Sequence, residues 1–528
     1  MSDPSKDVTT LRKEKLKAFL KNNDHLLIIV ILLIAAVFKL YFFFSLGNQP
    51  IWWDEGDYLS LAKFWSFKVP LTDSMSYLLG MRPFLLSLIG ALFFKLGLGE
   101  SFLRFFAELV PSIASVLVIY LIGKEVYGKW AGIASSLMLS FYWVWSFYSF
   151  RVMTDVPSTF LALLSIYYFV VYYEKKGLAK GLYLSILFGV LAFYTRFPQA
   201  VVLLTIAAYL LITRKFSLFK DKVILKSVGL LLLLLLPYFI YLASTGFSAL
   251  KIYFGGSSTT VTNPAAFGAI TSVFSFMHLS WAILGLIGLV SLIPLFLGLD
   301  LVWKQKDKSL NSDLLFFMIL IAQLFFYVFI IRSFDDRWLL VASMALFIIA
   351  GKGFVSLESF LRPYIKNFAI IACFMILLFG VYQNIGHAGE IIRARETSYA
   401  AVRDAGLWLK QNSAASDSVV TSSIVQNYYY SQRVTHDMKP TKFPDECVDS
   451  SQVGTSQCQN KWENAFNEEV LFLKPSYFII SQYEPGFTPQ WAYTYAARNN
   501  LSAVWVDNTA QPTLIVYKYP ENFVPNNS

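Results

Sequence analysis

Long apolar runs recur through the first 390 residues, separated by short polar segments. The first extends from about His25 to Leu46 and follows a polar stretch that carries Lys6, Arg12, Lys13, Lys15, Lys17 and Lys21. A helical run of about 20 residues crosses the hydrocarbon core, and its basic flank stays on the cytoplasmic side. It exceeds the apolar core of a signal peptide and no small-residue cleavage site follows, so it reads as a retained anchor. Further spans are expected near 103–123, 130–150, 156–172, 181–195, 197–213, 227–244, 277–299, 314–332, 338–356 and 367–386.

The shorter run Pro83 to Leu96 holds Lys95, and the basic loops decide its reading. Lys124 and Lys129, then Lys175, Lys176 and Lys180, then Arg214, Lys215, Lys220 and Lys222, then Lys304, Lys306 and Lys308, then Lys352, Arg362 and Lys366 occupy alternate loops. All fall on the cytoplasmic side if 83–96 only half-inserts. The expected body therefore has eleven spans and an interfacial helix, with the N-terminus cytoplasmic and the C-terminus outside. Segment 47–102, the turn Arg151–Asp155, Arg196, loop 245–276, the turn Arg332–Arg337 and all residues after about 387 then share the outer face.

After 387, Asn, Gln, Ser, Asp and Tyr replace Leu and Phe. A helical pattern at Tyr399–Gln411 alternates with strand-like runs at 418–422, 477–481 and 513–519, which predicts a small α/β domain. The fold class is thus mainly α: a basic N-terminus (1–24), a polytopic body (25–386) that includes outer loop 47–102, and an extracytoplasmic α/β domain (387–528). Cys447 and Cys458 lie in a polar insert of that domain, where an oxidising exterior would let them pair; two free thiols are the other reading.

Composition agrees with a plasma-membrane protein: of 528 residues, 56% are hydrophobic and 15% charged, against roughly 25% charged in soluble domains. The formal charge of +10 sits in short clusters, which act as topology signals and give no nucleic-acid stripe. The four histidines and three cysteines are scattered, without the spacing of a structural zinc site.

Chemistry is expected where charge meets the outer surface. Trp52-Trp53-Asp54-Glu55-Gly56-Asp57-Tyr58 places three carboxylates at the end of a span, where desolvation is costly; a solvated loop start with a helix cap is the structural reading. Arg151-Val152-Met153-Thr154-Asp155-Val156-Pro157 joins two apolar runs, and a capped turn with Pro opening the next helix would account for it. Arg82, Arg104, Arg196 and Arg337 could each snorkel to headgroups. Together with the carboxylates, they suit an anion site facing a base.

These motifs, in order, resemble those of the polyprenyl-phosphate-sugar-dependent glycosyltransferases of the GT-C fold, the group with protein O-mannosyltransferases and lipid A aminoarabinose transferases. The resemblance covers roughly residues 25–390 and rests on Trp53-Asp54-Glu55-x-x-Tyr58, Arg82-Pro83, Leu103-Arg104, Gly128-x-x-Ala131-Gly132, Thr154-Asp155-x-Pro157 and Asp336-Arg337-Trp338-Leu339-Leu340. It implies a polyprenyl-phosphate sugar donor, an extracytoplasmic acceptor and Asp54 as base in an inverting displacement. Glu55 and Asp155 would position the acceptor or orient the base, and Asp54 with Asp155 would hold any divalent cation. Arg82, Arg104, Arg151, Arg196, Arg337 and Tyr58 would bind substrate, with Arg104, Arg196 and Arg337 on the phosphate. Met81 stands where aminoarabinose transferases carry a Glu, so a metal site built on that Glu is not expected. A transporter would show paired halves, and no repeat is visible; a scaffold acting through its C-terminal domain is the other alternative.

Overall fold

The computed structural model describes residues 23–47, 49–69, 71, 75–76, 78–244, 267–297, 308–447, 453–484 and 487–525. The basic segment 1–22, most of loop 245–276, and Lys304 and Lys306 lie outside the described residues. The chain forms two compact units: 1–47, 83–86 and 100–393 in one, and 48–82, 87–99 and 394–528 in the other.

The first unit is a helical membrane body. Among the described residues, nine helices are long and apolar enough to cross a bilayer, from Leu26–Ser45 to Phe368–Ala394. The other two expected spans are a 17-residue helix, Ala179–Thr195, and a run that breaks at Tyr142 into Lys129–Phe141 and Trp143–Tyr148. Tyr142 leaves helical geometry at ψ 120°, which interrupts a sequence with no Pro or Gly to announce the break. This is a multi-pass membrane protein. The stretch expected to half-insert forms an 11-residue apolar helix, Leu85–Lys95.

Small residues set the packing. Gly128 takes φ +95° between Val110–Tyr127 and Lys129–Phe141, a left-handed value that a side chain resists. A Cβ on Gly132 would lie 2.6 Å from the Tyr120 carbonyl oxygen, so the Gly128-x-x-Ala131-Gly132 motif is a close helical hairpin. The Leu340–Ile365 helix is buried along its first half and approaches His278–Val290 backbone to backbone, since a Cβ on Gly353 would collide with the Leu284 carbonyl oxygen. Ion pairs tie the end remote from Asp155: Lys352 Nζ reaches Asp313 at 2.6 Å, and Arg214 reaches Glu174 at 3.2 Å.

In the second unit, β1 (Ser418–Thr421), β2 (Val434–His436), β3 (Tyr477–Ser481), β4 (Ser502–Val506) and β5 (Leu514–Lys518) form a sheet ordered β2-β1-β3-β5-β4. The β1 strand runs parallel to β2 and β3, with Val420 opposite Phe478, and β5 is antiparallel to β3 and β4. One core joins Val420, Phe478, Phe466 and Tyr495; a second joins Val402, Leu409, Val419 and Val516. Cys447 and Cys458 form a disulfide.

The expected partition differs here. Much of loop 47–102, assigned above to the membrane body, groups with residues 394–528. Leu61, Met75 and Leu78 share a core with Val425 and Tyr428, and the Ile51 amide donates to the Tyr430 hydroxyl at 3.0 Å. Apolar positions of a short loop helix find their burial in partners far along the chain, which local patterning does not reveal.

Candidate active site

The Trp53–Trp65 helix carries the first set of charges in the second unit. Its opening is capped by Glu55, whose Oε2 accepts from the Trp52 amide at 2.8 Å, satisfying one of the free donors of a helix start. Glu55 is fully buried. Its geometry is that of a cap, and the carboxylate that faces outward is its neighbour Asp54, with 23% of its side chain exposed.

Asp54, Asp57 and Tyr58 follow at i, i+3 and i+4, hence on one helix face. Arg82 closes on that face. Its Nη2 donates to Asp54 Oδ1 at 2.7 Å and its Nε to Asp57 Oδ2 at 2.7 Å, and its guanidinium carbon lies 5.6 Å from the Tyr58 ring centre. A planar fork shared between two carboxylates fixes both in register. Asp57 is sealed from solvent, and its Oδ1 has no hydrogen-bond partner among the described residues. Burial pushes its carboxyl up from 3.8 to about 7 against the opposing pull of Arg82, with Asp54 adding to the rise. Gly56 is required between them, because a Cβ there would lie 2.6 Å from Val425 Cγ1.

The second set lies in the membrane body. Asp155 opens the Asp155–Tyr167 helix and is almost fully buried; Arg196 Nη1 approaches its Oδ1 at 2.8 Å and Arg337 Nη1 its Oδ2 at 3.9 Å. Arg196 also donates to Thr154 Oγ1 at 3.3 Å, and Arg337 Nε reaches Asp335 at 3.3 Å. Arg196 is delivered by an extended residue between the Ala179–Thr195 helix and the 3₁₀ turn Phe197–Gln199. Both guanidinium side chains stay partly exposed, at 14% and 16%, while the acid between them is sealed. Asp155 thus sets the spacing of two cations. Behind the turn, Glu108 Oε1 accepts from the Met153 amide at 3.0 Å, and Tyr148 donates to Asp336 at 2.8 Å. Glu108 belongs to a π-helical segment, Phe105–Leu109. Arg104 and Arg151 are buried inside this unit.

Sequence reasoning named Asp54, Arg82, Asp155, Arg196 and Arg337, saw Asp57 without giving it a role, and missed Glu108. Helical spacing from Asp54 carries the signal for Asp57. Nothing local marks Glu108, whose partner is a backbone amide 45 residues away. Among the described residues, no group of three or more His, Cys, Asp or Glu side chains is placed to hold a metal ion. Arg82 lies between Asp54 and Asp57, bonded to both.

Residues 81–241 match the family model described as dolichyl-phosphate-mannose-protein mannosyltransferase. No curated protein matches by sequence. By structure, the chain is similar to ArnT from Cupriavidus metallidurans in the apo state, at 12% identity and TM-score 0.63, with 94% of this chain and 99% of ArnT covered. ArnT bound to undecaprenyl phosphate aligns at 13% identity and TM-score 0.62 over the same shares. The Archaeoglobus fulgidus oligosaccharyltransferase AglB, in complex with an inhibitory peptide and a dolichol-phosphate, aligns at 12% identity and TM-score 0.58, covering 90% of this chain and 73% of AglB. The fold is therefore the GT-C fold shared by these structures, and the motif resemblance noted in the sequence is met by both comparisons.

Proposed function

We propose that this protein is a membrane glycosyltransferase that moves a sugar from a polyprenyl phosphate to a hydroxyl of an extracytoplasmic acceptor. The observation that carries the reading is the Asp54–Arg82–Asp57 cluster: a partly exposed carboxylate, held by a forked cation, at the start of a capped helix. The fold and the family match over 81–241 support it.

Asp54 accepts the proton of the acceptor hydroxyl as that oxygen bonds to the anomeric carbon. The bond from that carbon to the phosphate oxygen breaks in the same step, and polyprenyl phosphate departs as a stable anion. A single displacement inverts the configuration. Arg196 and Arg337, spaced by Asp155, hold the phosphate, for which their donor forks are suited. Arg82 keeps Asp54 oriented and brings positive charge to the acidic pair. The N-terminus is cytoplasmic and the C-terminal unit is outside, an orientation that the alternating basic loops favour.

The test is incubation of purified protein in lipid nanodiscs with a panel of polyprenyl-phosphate sugars, detecting release of polyprenyl phosphate. Asp54→Asn keeps the side-chain volume and removes the base. Turnover should fall by about 10² to 10⁴; undiminished turnover in a folded variant would rule out Asp54 as base.

A further inference from the structure

The second unit contains a feature the mechanism does not use. Phe487 is 60% exposed yet its ring stacks on Trp53, centres 5.6 Å apart and planes 23° apart. Trp53 directly precedes Asp54 in the first turn of the helix. An aromatic ledge thus adjoins the carboxylate that takes the acceptor proton.

The sheet topology points to the same place. From β1 the chain passes to β2 on one side, and from β2 it passes to β3 on the other side of β1. That reversal puts a crevice at the carboxyl ends of β1 and β3, the position at which open α/β sheets take ligands. Ser422 and Ser423 follow β1, Glu484 and Thr488 follow β3, and Thr488 Oγ1 bonds to Ser422 Oγ at 2.7 Å across the gap. Ser423 Oγ and Asn427 Oδ1 are buried here without a hydrogen-bond partner among the described residues, and the Gln426 amide is buried beside Glu484. Two unanswered oxygens and an amide next to an aromatic face suit a ligand with many hydroxyls and a flat apolar side.

We infer that the Trp53–Phe487 ledge and the crevice beside it form an acceptor subsite for an uncharged pyranose ring, so that the acceptor is a glycan. This rests on the glycosyl-transfer reading given above. The crevice residues named here include no Lys or Arg to answer an anionic acceptor. A peptide offers one backbone donor per residue, fewer than a sugar ring presents on one edge. The ring would stack on the ledge with its hydroxyl edge toward the strand ends, leaving one hydroxyl for Asp54.

The experiment uses full-length protein, the polyprenyl-phosphate sugar found active in the panel, and two acceptor sets: neutral di- and trisaccharides, and Ser/Thr-containing peptides. Phe487→Ala should raise the saccharide KM about tenfold, and Phe487→Trp should restore it. Phe472→Ala, at a highly exposed aromatic outside the crevice, should change nothing. A saccharide KM unmoved by Phe487→Ala overturns the subsite, and transfer to peptides alone overturns the glycan assignment. Absence of donor cleavage by the wild-type chain refutes the glycosyl-transfer reading instead. Saccharide binding to wild-type and Phe487→Ala protein, measured by saturation-transfer NMR without donor, then decides the ledge by itself: loss of binding in the variant supports it, and equal binding overturns it.

Discussion

Replacing Arg82 by Ala removes the only cation that, among the described residues, pairs with Asp57, whose carboxyl is sealed from solvent. Breaking a buried ion pair from one side typically costs 3 to 5 kcal/mol, because the remaining charge is left without compensation. Arg82 is itself 26% exposed, so water softens the loss, and about 3 kcal/mol is the expected figure. For a folding unit of this size that lowers Tm by roughly 6 to 12 °C. The sign with pH follows from Asp57. Its folded value of about 7 lies above the ordinary 3.8, so the native state keeps a proton that the unfolded chain releases. Stability from this group is present below pH 4 and is lost as pH rises toward 7. Arg82 holds the value down, so Arg82→Ala raises it further; the penalty should be largest near pH 8 and shrink near pH 5.5. Adding Asp57→Asn to Arg82→Ala removes the stranded charge and should recover more than half of the lost Tm. The assay is thermal unfolding in nanodiscs at both pH values for the two single variants and the double. A Tm loss that is equal at pH 5.5 and 8, or a double variant no more stable than Arg82→Ala, would refute the charge argument.

Three other outcomes are expected. Arg196→Ala should raise donor KM at least tenfold with little change in acceptor KM, measured by initial rates over both substrates; Arg337→Lys should do so more weakly, since an ammonium keeps the charge and loses the fork. Treatment with a chelator followed by dialysis should leave turnover within twofold, because Arg82 brings positive charge to Asp54 and Asp57. Gly56→Ala should cost about 1 to 3 kcal/mol by overpacking against the buried Val425, read as a lowered Tm that Val425→Ala partly restores.

Much of the body was legible because a bilayer forces long apolar helices and lipid leaves little choice of backbone. The eleven expected runs are largely helical over their described residues, and the breaks at Tyr142 and at Ser291–Leu292 escaped notice. The strands near 418, 477 and 514 were legible from alternation and β-branched content. The site was half legible. Charged residues at span ends stand out against an apolar chain, so Asp54, Asp155 and the arginines could be found; their pairing could not. Glu55 looks equivalent to Asp54 in sequence, and only the hydrogen bond to the Trp52 amide separates a cap from a candidate base. Asp57 was seen as a third carboxylate and given no task, because its partner Arg82 arrives 25 positions later.

The union of the first loop with the C-terminal residues has a consequence for how the protein is made. Ile51 and its partner Tyr430 are 379 positions apart. At about 5 to 20 residues per second, the Asp54 helix waits roughly 20 to 75 seconds after its own synthesis before the residues that pack against it exist. Membrane insertion of the body is largely over by then. The step that completes the loop is thus a late one, and a ribosome that stops early leaves a threaded bundle whose base-bearing helix has nothing to fold against.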